Sequence, residues 1–146
     1  MMKNSPTNLD VLVWEHEQLG ALFAKMQTTL QKASLKPSEL AVCAEELQSH
    51  LHEHFEHEEG KGLFAQLRAK APHMSEEVAR LQQEHQSLAT TLSTLIRNLS
   101  QDDWNDEAQA DWRRCFQHFH EAFSEHEDTE NRLLQEAYDR DEGAKD

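Results

Sequence analysis

Residues 40–60, LAVCAEELQSHLHEHFEHEEG, place Leu40, Ala44, Leu47 and Leu51 in alternating steps of four and three, then continue the same stripe with His54 and Glu58 before Gly60. Steps of three and four gather all six residues on one face of an α-helix. That face is apolar for three turns and then ends in an imidazole and a carboxylate. Gly60 and Gly62 stop the helix just beyond them. Ionisable groups in a core cost roughly a few kcal/mol each when unpaired. His54 and Glu58 therefore require partners from elsewhere in the chain.

Three further segments repeat the pattern. The first carries Leu9, Leu12, His16, Leu19, Phe23, Met26 and Leu30; the third carries Val78, Leu81, His85, Leu88, Leu92, Leu95 and Leu99. The fourth carries Trp104, Ala108, Trp112, Cys115, Phe119, Phe123, His126, Glu130, Leu133 and Ala137. Ser34 to Ser38, with Pro37, separates the first two, and Leu63, Phe64 and Leu67 extend the second by a turn or two before Ala71-Pro72. Ser75 reads as the cap of the third helix, and Asp102 or Asp103 as that of the fourth. The predicted helices span about 8–33, 38–70, 75–100 and 103–139, with a polar tail over 140–146. Short connections between long helices favour antiparallel neighbours, so the expected fold is all-α, a single-domain antiparallel up-down-up-down four-helix bundle.

Composition agrees. The chain has 146 residues, enough for one domain with a real core, with few breakers at Gly 4 and Pro 3. Asp+Glu 28 against Lys+Arg 14 gives a formal net charge of -14. Such a surface repels phosphate backbones and anionic lipid, which argues against nucleic-acid and membrane partners. Met1 to Pro6 lacks the apolar core of a signal peptide, and no run approaches the ~18 apolar residues that cross a bilayer. Cys43 and Cys115 are accordingly expected as reduced thiols of a cytoplasmic protein, Cys115 in the core.

The polar interruptions carry the chemistry. Each stripe is broken at one height: His16 in the first helix, His54 and Glu58 in the second, His85 in the third, His126 and Glu130 in the fourth. Antiparallel packing brings all six to one end of the bundle, ~12–18 Å in at 1.5 Å per residue. Both His-x-x-x-Glu pairs stack imidazole and carboxylate on one helix face. Imidazole with carboxylate suits iron, zinc, manganese or cobalt, and the absence of thiolate ligands disfavours a cysteine-bound zinc. Two carboxylates can each bridge two ions and four imidazoles can cap them, leaving about four of roughly twelve octahedral positions for oxo, hydroxide, water or O2. A ferritin-like Glu-x-x-His spacing does not match. The other histidines, His50, His52, His57, His73, His118 and His120, are expected in solvent. His50, His57, His118 and His120 flank the seam and could support the ligands. Phe23, Leu51, Leu88, Phe119 and Phe123 would form a dry wall over the site.

Glu15-His16, His54-Phe55-Glu56-His57-Glu58-Glu59, Glu84-His85 and His126 through Glu130-Asn131, taken in order, resemble the hemerythrin-like family of HHE cation-binding domains over nearly the whole chain. Glu130 to Tyr138 also resembles the C-terminal end of many bacterial members. The resemblance implies four terminal ligands, His16, His54, His85 and His126, and two bridging ones, Glu58 and Glu130. They would hold two iron ions, oxo- or hydroxo-bridged. The chain departs from oxygen-carrying hemerythrins in the third helix, where Leu81 and Ala89 stand four residues from His85 in place of a second histidine. Its fourth-helix carboxylate is Glu130, four after the histidine, where those proteins commonly use an aspartate five after. His57 is the best candidate to replace the missing histidine, though it is expected not to. The expected function is a non-haem di-iron protein that binds or senses O2 or a related small oxidant such as peroxide or NO, and the two departures weigh against reversible O2 carriage. Iron storage or scavenging, an iron-responsive module with a protein partner, and a peroxide- or NO-processing enzyme are the alternatives.

Overall fold

The computed structural model describes the backbone of residues 8–60 and 62–145 and the side chains of residues 10–60 and 62–139. Met1–Pro6, expected to lack a signal-peptide core, and the Leu9 side chain, expected on the first stripe, lie outside the described residues, as do the side chains of the expected polar tail over 140–146. Among the described residues five α-helices follow in order: α1 Asn8–Leu30, α2 Pro37–Glu59, α3 Leu63–Lys70, α4 Ser75–Asn98 and α5 Asp106–Lys145, with a 3-10 turn at Pro72–Met74. The four long ones form the bundle and α3 closes one end.

Residue numbers run in opposite directions across every neighbouring pair. α1 meets α2 through Lys25–Glu46 and His16–His54, and α2 meets α4 through Gln48–Ser93 and Glu59–Gln82. α4 meets α5 through Leu95–Trp112 and Glu77–Arg132, and α5 returns to α1 through Gln117–Gln27 and Arg113–Leu30. The bundle is therefore antiparallel all the way round. Arg113 donates to the Leu30 and Lys32 carbonyls, which supplies both donors and a cation to the C-terminal end of α1.

The stripes face inward nearly as predicted, with one correction on α5. Phe116 is fully buried, whereas Cys115, expected in the core, is exposed. With Phe116 the buried positions run Trp112, Phe116, Phe119, Phe123, His126, Glu130, Leu133 and Ala137, an unbroken four-three alternation that Cys115 would interrupt. Caps and ends also differ. Ser75 is already helical and donates its hydroxyl to the Pro72 carbonyl. Asn105, not Asp102 or Asp103, caps α5 by accepting from the Ala108 amide at 2.8 Å. α1 ends at Leu30 rather than 33, α4 at Asn98, and α5 continues to Lys145 instead of ending at 139. No proline follows Tyr138, and one glycine at 143 costs only about 1 kcal/mol in a helix.

The apolar interior falls into two clusters. One runs from Leu19 through Leu51, Leu88 and Phe123 to the α1–α2 turn, and the other gathers Leu12, Leu63, Phe64, Met74, Leu81 and Leu133 around α3. Between them lies a polar layer. No helix among the described residues is long and apolar enough to cross a membrane.

Candidate metal centre

The polar layer consists of the six residues that interrupt the stripes. On α1 it sits between Leu12 and Leu19, on α4 between Leu81 and Leu88, and on α5 between Phe123 and Leu133. His54, Glu58, His85, His126 and Glu130 are 0–3 % exposed, and His16 is half-buried.

Their ligand atoms form two overlapping groups: His16, His54, Glu58 and Glu130 in one, and Glu58, His85, His126 and Glu130 in the other. Within each, the atoms lie within 4.8 Å of one another. Both carboxylates belong to both groups. Glu58 turns Oε2 towards His54 Nε2 at 3.5 Å and Oε1 towards His85 Nε2 at 3.1 Å. Glu130 Oε1 lies 2.7 Å from His126 Nε2, and His16 Nε2 lies 3.1 Å from His54 Nε2. Despite these approaches, Nε2 of His85 and His126 and all four oxygens of Glu58 and Glu130 are buried without a hydrogen bond. The short separations arise because the atoms converge on common points rather than aim at one another. Six buried, unsatisfied lone-pair donors would be costly in a metal-free core, and a cation in each group satisfies them. The donor set therefore fits the cations that imidazole and carboxylate prefer.

Electrostatics leads to the same reading. Burial and the adjacent Glu130 carboxyl push Glu58 well above the ordinary carboxylate range. Burial opposes ionisation of Glu130 as well, but contacts with Glu58 and His126 outweigh it and hold Glu130 low. Without a cation the pair thus favours one ionised carboxyl rather than two. Burial lowers His85 to about 4 and also lowers His16, so both imidazoles stay neutral and free to ligate. Burial would lower His126 too, but Glu130 and Glu84 raise it.

A second layer of carboxylates holds the histidines from behind. Glu15 accepts from His54 Nδ1 at 3.0 Å, Glu59 from His85 Nδ1 at 3.0 Å and Glu84 from His126 Nδ1 at 2.7 Å. Glu127 faces His16 Nδ1 at 3.5 Å. Each carboxylate is the chain neighbour of an inward residue, one position before it on α1 and α4 and one after it on α2 and α5. One residue is about 100° of turn, so each glutamate faces the next helix round the bundle. The alternation of before and after follows from antiparallel direction. The ring closes: α1 serves α2, α2 serves α4, α4 serves α5 and α5 serves α1. A carboxylate on Nδ1 fixes the tautomer and aims Nε2 into the polar layer.

Aromatic rings secure His85 further, with Phe55 stacked on it at 3.8 Å and Phe64 at 5.2 Å. The residues expected to wall the site, Phe23, Leu51, Leu88, Phe119 and Phe123, are all buried. His57 does not enter the site. Its Nδ1 lies 2.6 Å from Glu15 Oε2 and its side chain is 56% exposed, so it does not replace the missing α4 histidine. His120 likewise lies elsewhere, stacked on Phe23 and bonded to Gln27. Leu81 packs in the cluster around α3 and Ala89 is exposed. A cavity of ≈110 Å³ touches His16, Glu58 and Glu130 and is walled by Leu12, Val13, Leu63, Asn131 and Leu134.

The sequence profile of the hemerythrin HHE cation-binding domain matches residues 6–138. No curated protein and no solved structure gives a match to the chain.

Proposed function

The chain belongs to the hemerythrin HHE cation-binding domain family, and from that premise we propose that it is a cytoplasmic non-haem di-iron protein that binds or senses O2 or a related small oxidant such as peroxide or NO. One observation carries the reading: two His2Glu2 groups share both of their carboxylates, the arrangement that holds two ions side by side. His16 and His54 cap one position, His85 and His126 cap the other, and Glu58 and Glu130 span both. Iron in such a site would supply electrons to a small oxidant.

The surrounding residues support that use. Glu15, Glu59 and Glu84 keep the imidazoles oriented, while the buried phenylalanines keep water out. The ≈110 Å³ cavity beside His16 has room for a diatomic molecule or a peroxide. Its walls are largely apolar, so it favours a small, weakly hydrated ligand over a polar metabolite.

Elemental analysis of protein from iron-replete cells tests the assignment. About two irons per chain are expected, and Glu58→Ala should purify with none. Iron retained undiminished by Glu58→Ala would remove the bridging role. Mixing the ferrous protein with O2 or peroxide then separates one stoichiometric event, expected for binding or sensing, from repeated turnover.

A further inference from the structure

We propose that the two metal positions differ in affinity, with the His85–His126 position filling first and the His16–His54 position being the exchangeable one. This rests on the reading of the six residues as a two-ion centre. Because Glu58 and Glu130 belong to both groups, any difference between the positions comes from the histidines and what holds them.

The histidines are held unequally. His85 is 3% exposed, pinned at Nδ1 by Glu59 at 3.0 Å and clamped by the Phe55 ring at 3.8 Å. His126 is 2% exposed and pinned by Glu84 at 2.7 Å. Both rings are already in place for a cation, so little ordering remains to be done on binding. His54 is equally fixed, by Glu15 at 3.0 Å. His16 is the exception. Its Nδ1 is 3.5 Å from Glu127, beyond a good hydrogen bond, and both side chains are 25% exposed. Among the described residues its one close ring neighbour is His54 itself, edge-on at 4.7 Å. It also borders the cavity, which leaves it room to swing.

The ring of outer carboxylates is thus tight at three joints and slack at the fourth. Loss of such a partner commonly weakens metal binding by 10–100-fold, so a slack one should cost several-fold, up to about ten-fold, at the His16 position. The first ion then occupies the rigid half. The second binds against the charge of the first and through the loosest ligand, and it leaves first.

Cobalt(II) affinity, read anaerobically by competition with a coloured chelator, compares His16→Ala, which keeps the rigid half, with His85→Ala, which keeps the slack half. Each variant should retain one ion, bound several-fold, up to about ten-fold, more tightly in His16→Ala. Equal or reversed affinities overturn the proposal. The wild-type chain gives a test that no substitution can disturb. With labelled imidazoles and one equivalent of zinc(II), the Nε2 resonances of His85 and His126 should reach their bound positions while those of His16 and His54 stay put. All four moving together, or His16 and His54 moving first, would refute the order while leaving the two-ion centre intact. No metal bound at all would instead refute the centre on which the proposal rests.

Discussion

Glu127 shows how one side chain can be set by the charge of the centre it faces. Burial, then the charge of Glu130, pushes its carboxyl up to about 7 from an ordinary 4.5. Between those values the folded chain holds a proton that the unfolded chain has released, so this group's contribution falls as pH rises and its cost is complete above about 7. Glu127→Gln keeps the shape and cannot ionise. In metal-free protein it should therefore melt about 3 °C above wild type at pH 8, for a gain on the order of 1 kcal/mol, and lose that advantage by about pH 5. Thermal melts across pH measure it, and an advantage independent of pH would show that charge is not the cause. Bound zinc should shrink the difference, because a cation stabilises the carboxylate. The six inward residues were legible from sequence because a histidine or glutamate in a leucine stripe demands explanation. Glu15, Glu59, Glu84 and Glu127 were not legible in the same way. Beside the inward residues they look like any of the 28 acids of the chain, and only the direction of each neighbouring helix gives them a partner.

At the scale of the helix, the break after α2 decides whether Glu58 and Glu59 stay in place. The chain leaves Glu59, turns through Gly60 and Gly62 and restarts at Leu63 to cap the bundle end. A methyl group on Gly62 would overlap the His57 carbonyl, a rigid backbone group that cannot yield. Gly62→Ala should therefore cost about 1–3 kcal/mol and weaken metal binding, since the displaced backbone carries Glu58 and Glu59. Gly20 offers the contrast. It lies mid-helix in α1 with nothing near an added methyl, so Gly20→Ala should gain up to about 1 kcal/mol. Chemical denaturation of both variants checks the pair, and a destabilised Gly20→Ala would show that α1 needs that freedom. The sequence separates the two, since Gly62 stands at a helix stop and Gly20 inside a stripe, but the size of the Gly62 cost comes only from the returning backbone. The same limit explains the misplaced caps. Ser75, Asp102, Asp103 and Asn105 are all capable residues, and the choice among them depends on where the turn before each helix runs. The Cys115 assignment failed for a simpler reason: two adjacent residues compete for one inward position, and the larger apolar ring of Phe116 wins.

Across the molecule, the polar layer divides the core. The larger cluster is sealed by long helices and by the α1–α2 turn, which Trp104, Gln109 and Arg113 tie to the rest. The smaller one is built around α3, only 8 residues long, and the ends of its neighbours. What joins the two is the layer of histidines and glutamates, whose convergent lone pairs oppose each other until a cation lies among them. Metal should thus act as a clamp between two apolar halves, not merely as a ligand at one spot. At a hundred-fold excess over Kd, a ligand of the folded state adds about 2.7 kcal/mol. Regions that open only when the layer opens should register most of that gain. Amide exchange followed with and without zinc should show protection rising up to about a hundred-fold over Leu63–Lys70. Amides in the larger cluster near Leu30 and Leu40, where the turn already ties the helices together, should change far less. A uniform rise across both clusters would mean that the halves unfold as one unit and that the layer, with or without metal, never separates them.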